Sequence, residues 1–188
     1  MKNLLHWLPI LAWSAISLVL PVPGLWARGP NGGDVVELGS LKSRVPADWV
    51  EEKPDDAQGY KQYRLEPVDD DEEYAQVTVH FLGKGKGGTA EEYVKRWQGM
   101  FLPPEGKTMR EAAKLRQLKV NGAAVTYLDV RGDYKGIPGD ATSPRQNLRL
   151  LGVYLDTSKG PCIIRLLGPA DTVEFYRDGF EDWVKAFK

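Results

Sequence analysis

The stretch Gly83-Lys84-Gly85-Lys86-Gly87-Gly88-Thr89 has the residue types and spacing of an anion cradle. Gly83, Gly85 and Gly88 satisfy G-x-G-x-x-G, and the segment joins an expected strand to an expected helix. Backbone N–H groups at such a junction, backed by two lysines and the helix dipole, can hold a phosphate or a carboxylate. The dinucleotide form of the motif also needs a parallel strand–helix–strand unit and an acidic residue roughly 20 positions on. Here the helix runs into FLPPEGKT instead, and a Walker A loop would need lysine where Gly88 stands. Two readings remain: a small-anion or acidic-partner site at Lys84, Gly85, Lys86, Gly88 and Thr89, or a plain flexible connection.

Nucleophilic chemistry has few residues to draw on. Beyond position 27 the chain has one histidine, His80, and one cysteine, Cys162, and no serine sits in a G-x-S-x-G turn. Nucleophilic serine or cysteine needs a positioned base. A Cys162–His80 dyad is conceivable, since both fall on expected strands of one sheet. A small hydrolase or thiol enzyme built on it is the alternative to a binding function. The plainer reading puts His80 on the polar side of a strand and packs Cys162, in PCIIRLL, as a small hydrophobe. One histidine and one cysteine cannot close a zinc site. The acidic run Asp69–Glu73 lacks the spaced ligands and central glycine of a calcium loop, so a solvated turn is expected. No cofactor is called for. The aperiodic stretch YKGIPGDATSPRQN (134–147) is long for a connection within a compact domain. It offers Tyr134, Asp140 and Arg145 as partner contacts, or else forms a loose hairpin tip.

These residues need elements to position them. A first strand is expected over Val35–Val45, and others near Tyr60–Pro67 and Tyr74–Gly83. In the last of these, Ala75, Val77, Val79 and Phe81 alternate with polar residues, the period of a half-buried strand. Thr89 and Glu92 form a capping box for a helix to about Phe101. Tyr93, Trp97 and Phe101 lie on one stripe of it. Asn121-Gly122 joins strands at Lys114–Val120 and Ala123–Asp133 as a two-residue hairpin. Two more strands, Leu148–Thr157 and Pro161–Leu167, flank Ser158-Lys159-Gly160. The first of them carries apolar residues on both faces and should be central. A closing helix spans Asp171–Phe187, with Asp171 and Glu174 as its cap pair and Gly179 expected to permit close packing on the sheet. Trp49 is expected to fold over the sheet edge. The sum is one α+β domain, a mostly antiparallel sheet with two helices packed on it.

The first 27 residues report a compartment. Lys2 precedes the uncharged run WLPILAWSAISLVL, helix breakers Pro21, Pro23 and Gly24 follow, and Ala27 ends the segment. That is a secretory signal layout; the run is short for the roughly 20 residues of a membrane span. A retained anchor, which would make the chain a structural component of the envelope, is the rival reading and the only route to a membrane. Cutting residues 1–27 from 188 leaves 161: a tether at 28–34, then one domain over 35–188, periplasmic or secreted. With 25 basic against 26 acidic residues, the chain lacks the field that would steer nucleic acid.

The entry Val45-Pro-x-x-Trp49, a helix after the third strand, two later hairpins and the closing GPADTVEFYRDGFEDWVKAF helix resemble the PsbP-like fold. That group includes a photosynthetic oxygen-evolving subunit, the Ran-binding Mog proteins and exported bacterial proteins. The segments GKGKGG, RWQGMFLPPEGKT, VTYLDVRGDYKG, LLGVYLDT, IIRLLGPADTV and GFEDWVKAF resemble a set of uncharacterised exported bacterial proteins. The resemblance implies an α/β/α sandwich, export and a non-enzymatic accessory role. It supplies no functional residue. The partner expected is an unknown protein or a small anionic ligand.

Overall fold

The computed structural model describes residues 33–55, 59–136 and 144–188. Their strands are β1 (Val35–Leu38), β2 (Leu41–Arg44), β3 (Val50–Glu52), β4 (Lys61–Leu65), β5 (Ala75–Phe81), β6 (Lys114–Val120), β7 (Ala123–Tyr134), β8 (Arg145–Thr157) and β9 (Gly160–Pro169). The helices are α1 (Ala90–Gly99), α2 (Met109–Ala112) and α3 (Ala170–Lys185). Seven strands form one sheet in the order β3-β4-β5-β9-β8-β7-β6, and every neighbouring pair is antiparallel. β1 and β2 make a separate hairpin. The class is therefore α+β with antiparallel sheets, as the hairpin signals require.

Alternation along β8 divides the core in two. Leu151, Val153 and Leu155 pack with Val173, Phe180, Trp183 and Phe187 of α3 and with Val36 and Leu38 of the β1–β2 hairpin. Leu148 and Leu150 pack with Trp97, Met100 and Phe101 at the end of α1. The helices thus cover opposite faces of the sheet, and β8 is buried on both sides. Gly152 is where α1 comes closest, since a Cβ there would stand 2.7 Å from the Trp97 ring. Trp49 does fold inward, stacking on Phe180 with ring centroids 6.3 Å apart and meeting Trp183 edge-on at 5.1 Å.

Several expectations need correction. The single first strand is two, because Gly39, with φ +68°, turns the chain before Leu41. The strand β3 and the one-turn helix α2, capped by Thr108 and Glu111, were not anticipated. Asp171 and Glu174 do not cap α3. Pro169 is its N-cap residue and makes no side-chain cap bond, while Glu174 pairs with Arg149 and Arg177. Gly179 permits no close packing either, because a Cβ there would meet nothing within 4 Å.

Candidate functional site

The glycine-rich segment links β5 to α1, and local chemistry fixes its shape. The Lys86 N–H donates to the Gly83 carbonyl at 3.3 Å, turning the two lysines outward. The loop is braced from below. A Cβ on Gly160 would lie 2.2 Å from the Gly83 carbonyl carbon, and the Tyr154 hydroxyl donates to the Gly88 carbonyl at 3.0 Å. Where the cradle meets the helix, the sequence reading of an open anion site changes. Glu92 Oε2 accepts the Thr89 N–H at 2.7 Å and the Thr89 hydroxyl at 3.3 Å, and the Glu92 N–H donates back to Thr89 Oγ1 at 3.2 Å. A Cβ on Gly88 would stand 2.4 Å from the same carboxylate oxygen. The chain's own carboxylate therefore sits at the helix N-terminus, as Glu111 does for Thr108 in α2. Lys84 and Lys86 make no ion pair among the described residues.

The second candidate surface lies far from the first. Tyr134 and Arg145 face each other across the β7–β8 neck, but their side chains do different things. Tyr134 meets Phe101 edge-on with ring centroids 5.3 Å apart and holds the end of α1. Arg145 pairs with Glu73 of the acidic turn. Asp140 lies outside the described residues. The glycine loop adjoins the β8–β9 turn at Gly160, and the Tyr134–Arg145 neck stands at the other end of β8. Thirteen residues of β8 separate them, roughly 40 Å at about 3.3 Å per residue. No composite site joins Lys84 and Lys86 to Tyr134 and Arg145.

The Cys162–His80 dyad is not assembled. Cys162 pairs in register with Phe81, and Ile163 with His80. Cys162 packs into the core beneath α3, while His80, one position off that alternation, is on the α1 side. Neighbouring residues of a strand point to opposite faces, so the sheet itself separates thiol from imidazole. Cys162 is fully buried, and burial pushes its thiol up to about 12, the reverse of an activated nucleophile.

The acidic turn is structural at two points. Asp71 bonds Thr172 at the start of α3, and Glu73 bonds Arg145. No three histidine, cysteine or carboxylate groups among the described residues gather as a metal site. No helix among them is long and apolar enough to cross a membrane.

Sequence reasoning missed the most buried charge. Arg149 of β8, 7% exposed, makes a two-pronged bond to Asp129 of β7, both contacts 2.8 Å, and also pairs with Glu174 of α3. The Asp129 hydrogen bonds hold its guanidinium well above the ordinary arginine range, against the effect of burial. A single arginine inside the run LRLLGVYL was the available signal. Further along α3, Arg116 of β6 stacks on Tyr127, 4.3 Å from the ring centroid, and pairs with Glu181.

The fold is α+β with an antiparallel sheet and helices on both its faces, and Arg116–Glu181, Arg131–Asp171 and Arg149–Glu174 tie α3 to the sheet. No family model matches the chain, and no curated protein does. Among solved structures it is similar to a Pseudomonas aeruginosa protein of unknown function. That likeness covers 82% of this chain and 95% of the other at 14% identity, with a TM-score of 0.46.

Proposed function

We propose that this chain is an exported, single-domain accessory protein of PsbP-like architecture that binds an acidic partner and catalyses no reaction. Lys84 and Lys86 carry the reading. They project from a braced turn and have no ion pair among the described residues, while Glu92 takes up the helix N-terminus. With the Thr89 N–H bound and a carboxylate already seated at the helix start, the loop works as a pair of point charges rather than as a phosphate cradle. That chemistry suits the carboxylates of a protein partner. Export rests on the 1–27 pattern, which lies outside the described residues. The enzyme alternative has lost its dyad to the sheet.

Affinity capture from the cell-envelope fraction, with the Lys84→Glu/Lys86→Glu variant alongside, tests the proposal. One partner retained by the native protein and lost by the variant, with unchanged thermal unfolding, is the expected result. Equal capture by both proteins would remove the loop from recognition.

A further inference from the structure

We infer that the open edge of strand β6 receives an extended acidic segment of a partner protein as an added strand. This extends the acidic-partner reading to a second surface, with its own test.

The sheet has two edges, and they differ. β3 is three residues long and runs into Lys53-Pro54, so it is a blunted edge. β6 is seven residues long and contains no proline. It pairs with β7 without a bulge from Lys114↔Asp129 to Val120↔Ala123. Nothing pairs with its outer side among the described residues, and its first four residues are exposed, Leu115 by 51%. A long, regular edge of this kind presents rows of N–H and C=O groups to an incoming strand.

Charge selects the occupant. Residues 107–119 hold five basic side chains, Lys107, Arg110, Lys114, Arg116 and Lys119, against one acidic, Glu111, in a chain whose net charge is −1. Glu111 is tied up in the Thr108 capping box. Arg116 pairs with Glu181. Lys114 and Lys119 of β6 have no ion pair among the described residues, nor do Lys107 and Arg110 in the segment leading into it, so residues 107–119 are a cationic stretch on a near-neutral molecule. Lysines on an edge repel a second cationic edge, which disfavours self-pairing and favours an acidic strand. Backbone pairing favours a peptide over a nucleic acid or a membrane, neither of which supplies a ladder of amides.

The test uses the 15N-labelled protein and two eight-residue peptides, one alternating Glu and Val and one alternating Lys and Val. The Glu-Val peptide is expected to shift and protect amides of Lys114–Val120 from exchange, and the Lys-Val peptide to do neither. Lys114 and Lys119 lie on opposite faces of β6, so a Glu-Val strand meets one of them in a given register. Lys114→Glu/Lys119→Glu should therefore weaken Glu-Val binding by roughly fivefold, the scale of one exposed charge contact reversed in sign. Lys84→Glu/Lys86→Glu should leave the protection of Lys114–Val120 unchanged, so failure of the loop proposal and failure of this one are separable. Binding without protection at β6, or no binding, overturns the inference. So does stronger binding of an eight-nucleotide thymidine strand or of anionic phospholipid vesicles to the same lysines, and so does a β6–β6 dimer in sedimentation.

Discussion

Asp71 caps helix α3 from 101 positions away in the chain. Its Oδ2 accepts the Thr172 N–H at 2.9 Å and the Thr172 hydroxyl at 2.6 Å. Thr172 Oγ1 accepts the Val68 N–H at 3.3 Å, so one fully buried threonine ties the acidic turn to the helix start. Pro169, at the N-cap position, has no side-chain oxygen to do this, and the turn supplies one instead. The relationship anchors one carboxylate of an otherwise exposed acidic turn.

Removing the cap should therefore be felt. Asp71→Ala is expected to lower stability by about 1.5 kcal/mol, the usual scale of a lost N-cap. Asp70→Ala, which removes a neighbouring charge but no bond to α3, should change it by less than about 0.5 kcal/mol. Urea unfolding of the two variants decides. Equal effects would mean that α3 depends on the general charge of the turn and not on Asp71.

The Arg149 cluster makes a sharper claim. Its partners are Asp129, 13% exposed at the side chain, and the half-exposed Glu174. Arg149→Met should cost about 3 kcal/mol, because it leaves the Asp129 carboxylate buried without a counter-charge. Arg149→Met combined with Asp129→Leu should recover much of that loss. A double variant no more stable than the single one would show that the arginine holds β8 and α3 through packing alone.

Two glycines should respond in opposite directions to alanine. Gly179 is in α3, with open space where a Cβ would go, so Gly179→Ala should stabilise by about 1 kcal/mol and raise Tm by about 2–4 °C. Gly152 lies against Trp97, so Gly152→Ala should destabilise by about 1–3 kcal/mol through overpacking. Thermal unfolding reads both, and a destabilised Gly179→Ala would mean that the outer side of α3 is covered.

Local signals in the sequence proved reliable where one short segment decides the structure. Asn121 and Gly122 both take positive φ, and the hairpin they close has its ends at Val120 and Ala123, as the dipeptide requires. The Thr89–Glu92 box and the Trp97–Phe101 stripe placed α1 for the same reason. Signals that depend on distant chain were unreadable. Asp171 and Glu174 carry a helix-start pattern, but Glu174 is drawn to Arg149 on the sheet face beneath it and the cap comes from Asp71. Four residues of α2 are too few to show a period, and three of β3 acquire meaning only by pairing with β4. The same holds for the candidate site. The glycine loop was legible as a strand–helix junction, whereas the opposite orientations of His80 and Cys162 depend on the β5–β9 register. The cationic β6 edge depends on which strands end up outermost.

That register leads to the last prediction, on Cys162. Its thiol is raised by burial to about 12 in the folded protein, from an ordinary value of 9.0. The folded state therefore keeps its proton through a range in which the unfolded chain loses it. Above pH 9 the unfolded state binds fewer protons, so stability must fall as pH rises, by up to about 1.4 kcal/mol per unit from this one group. Burial also raises the phenols of Tyr63 and Tyr127, which adds the same sign of dependence once the unfolded tyrosines titrate near pH 10. Between about pH 8.5 and 9 the cysteine dominates, before the unfolded tyrosines titrate, and Cys162→Ala should flatten the stability profile there. The native thiol should also resist a disulfide probe at pH 8 until denaturant is added. Prompt labelling of the folded protein would mean that the core around Cys162 opens to solvent, and the profile would then lose its slope in the native protein as well.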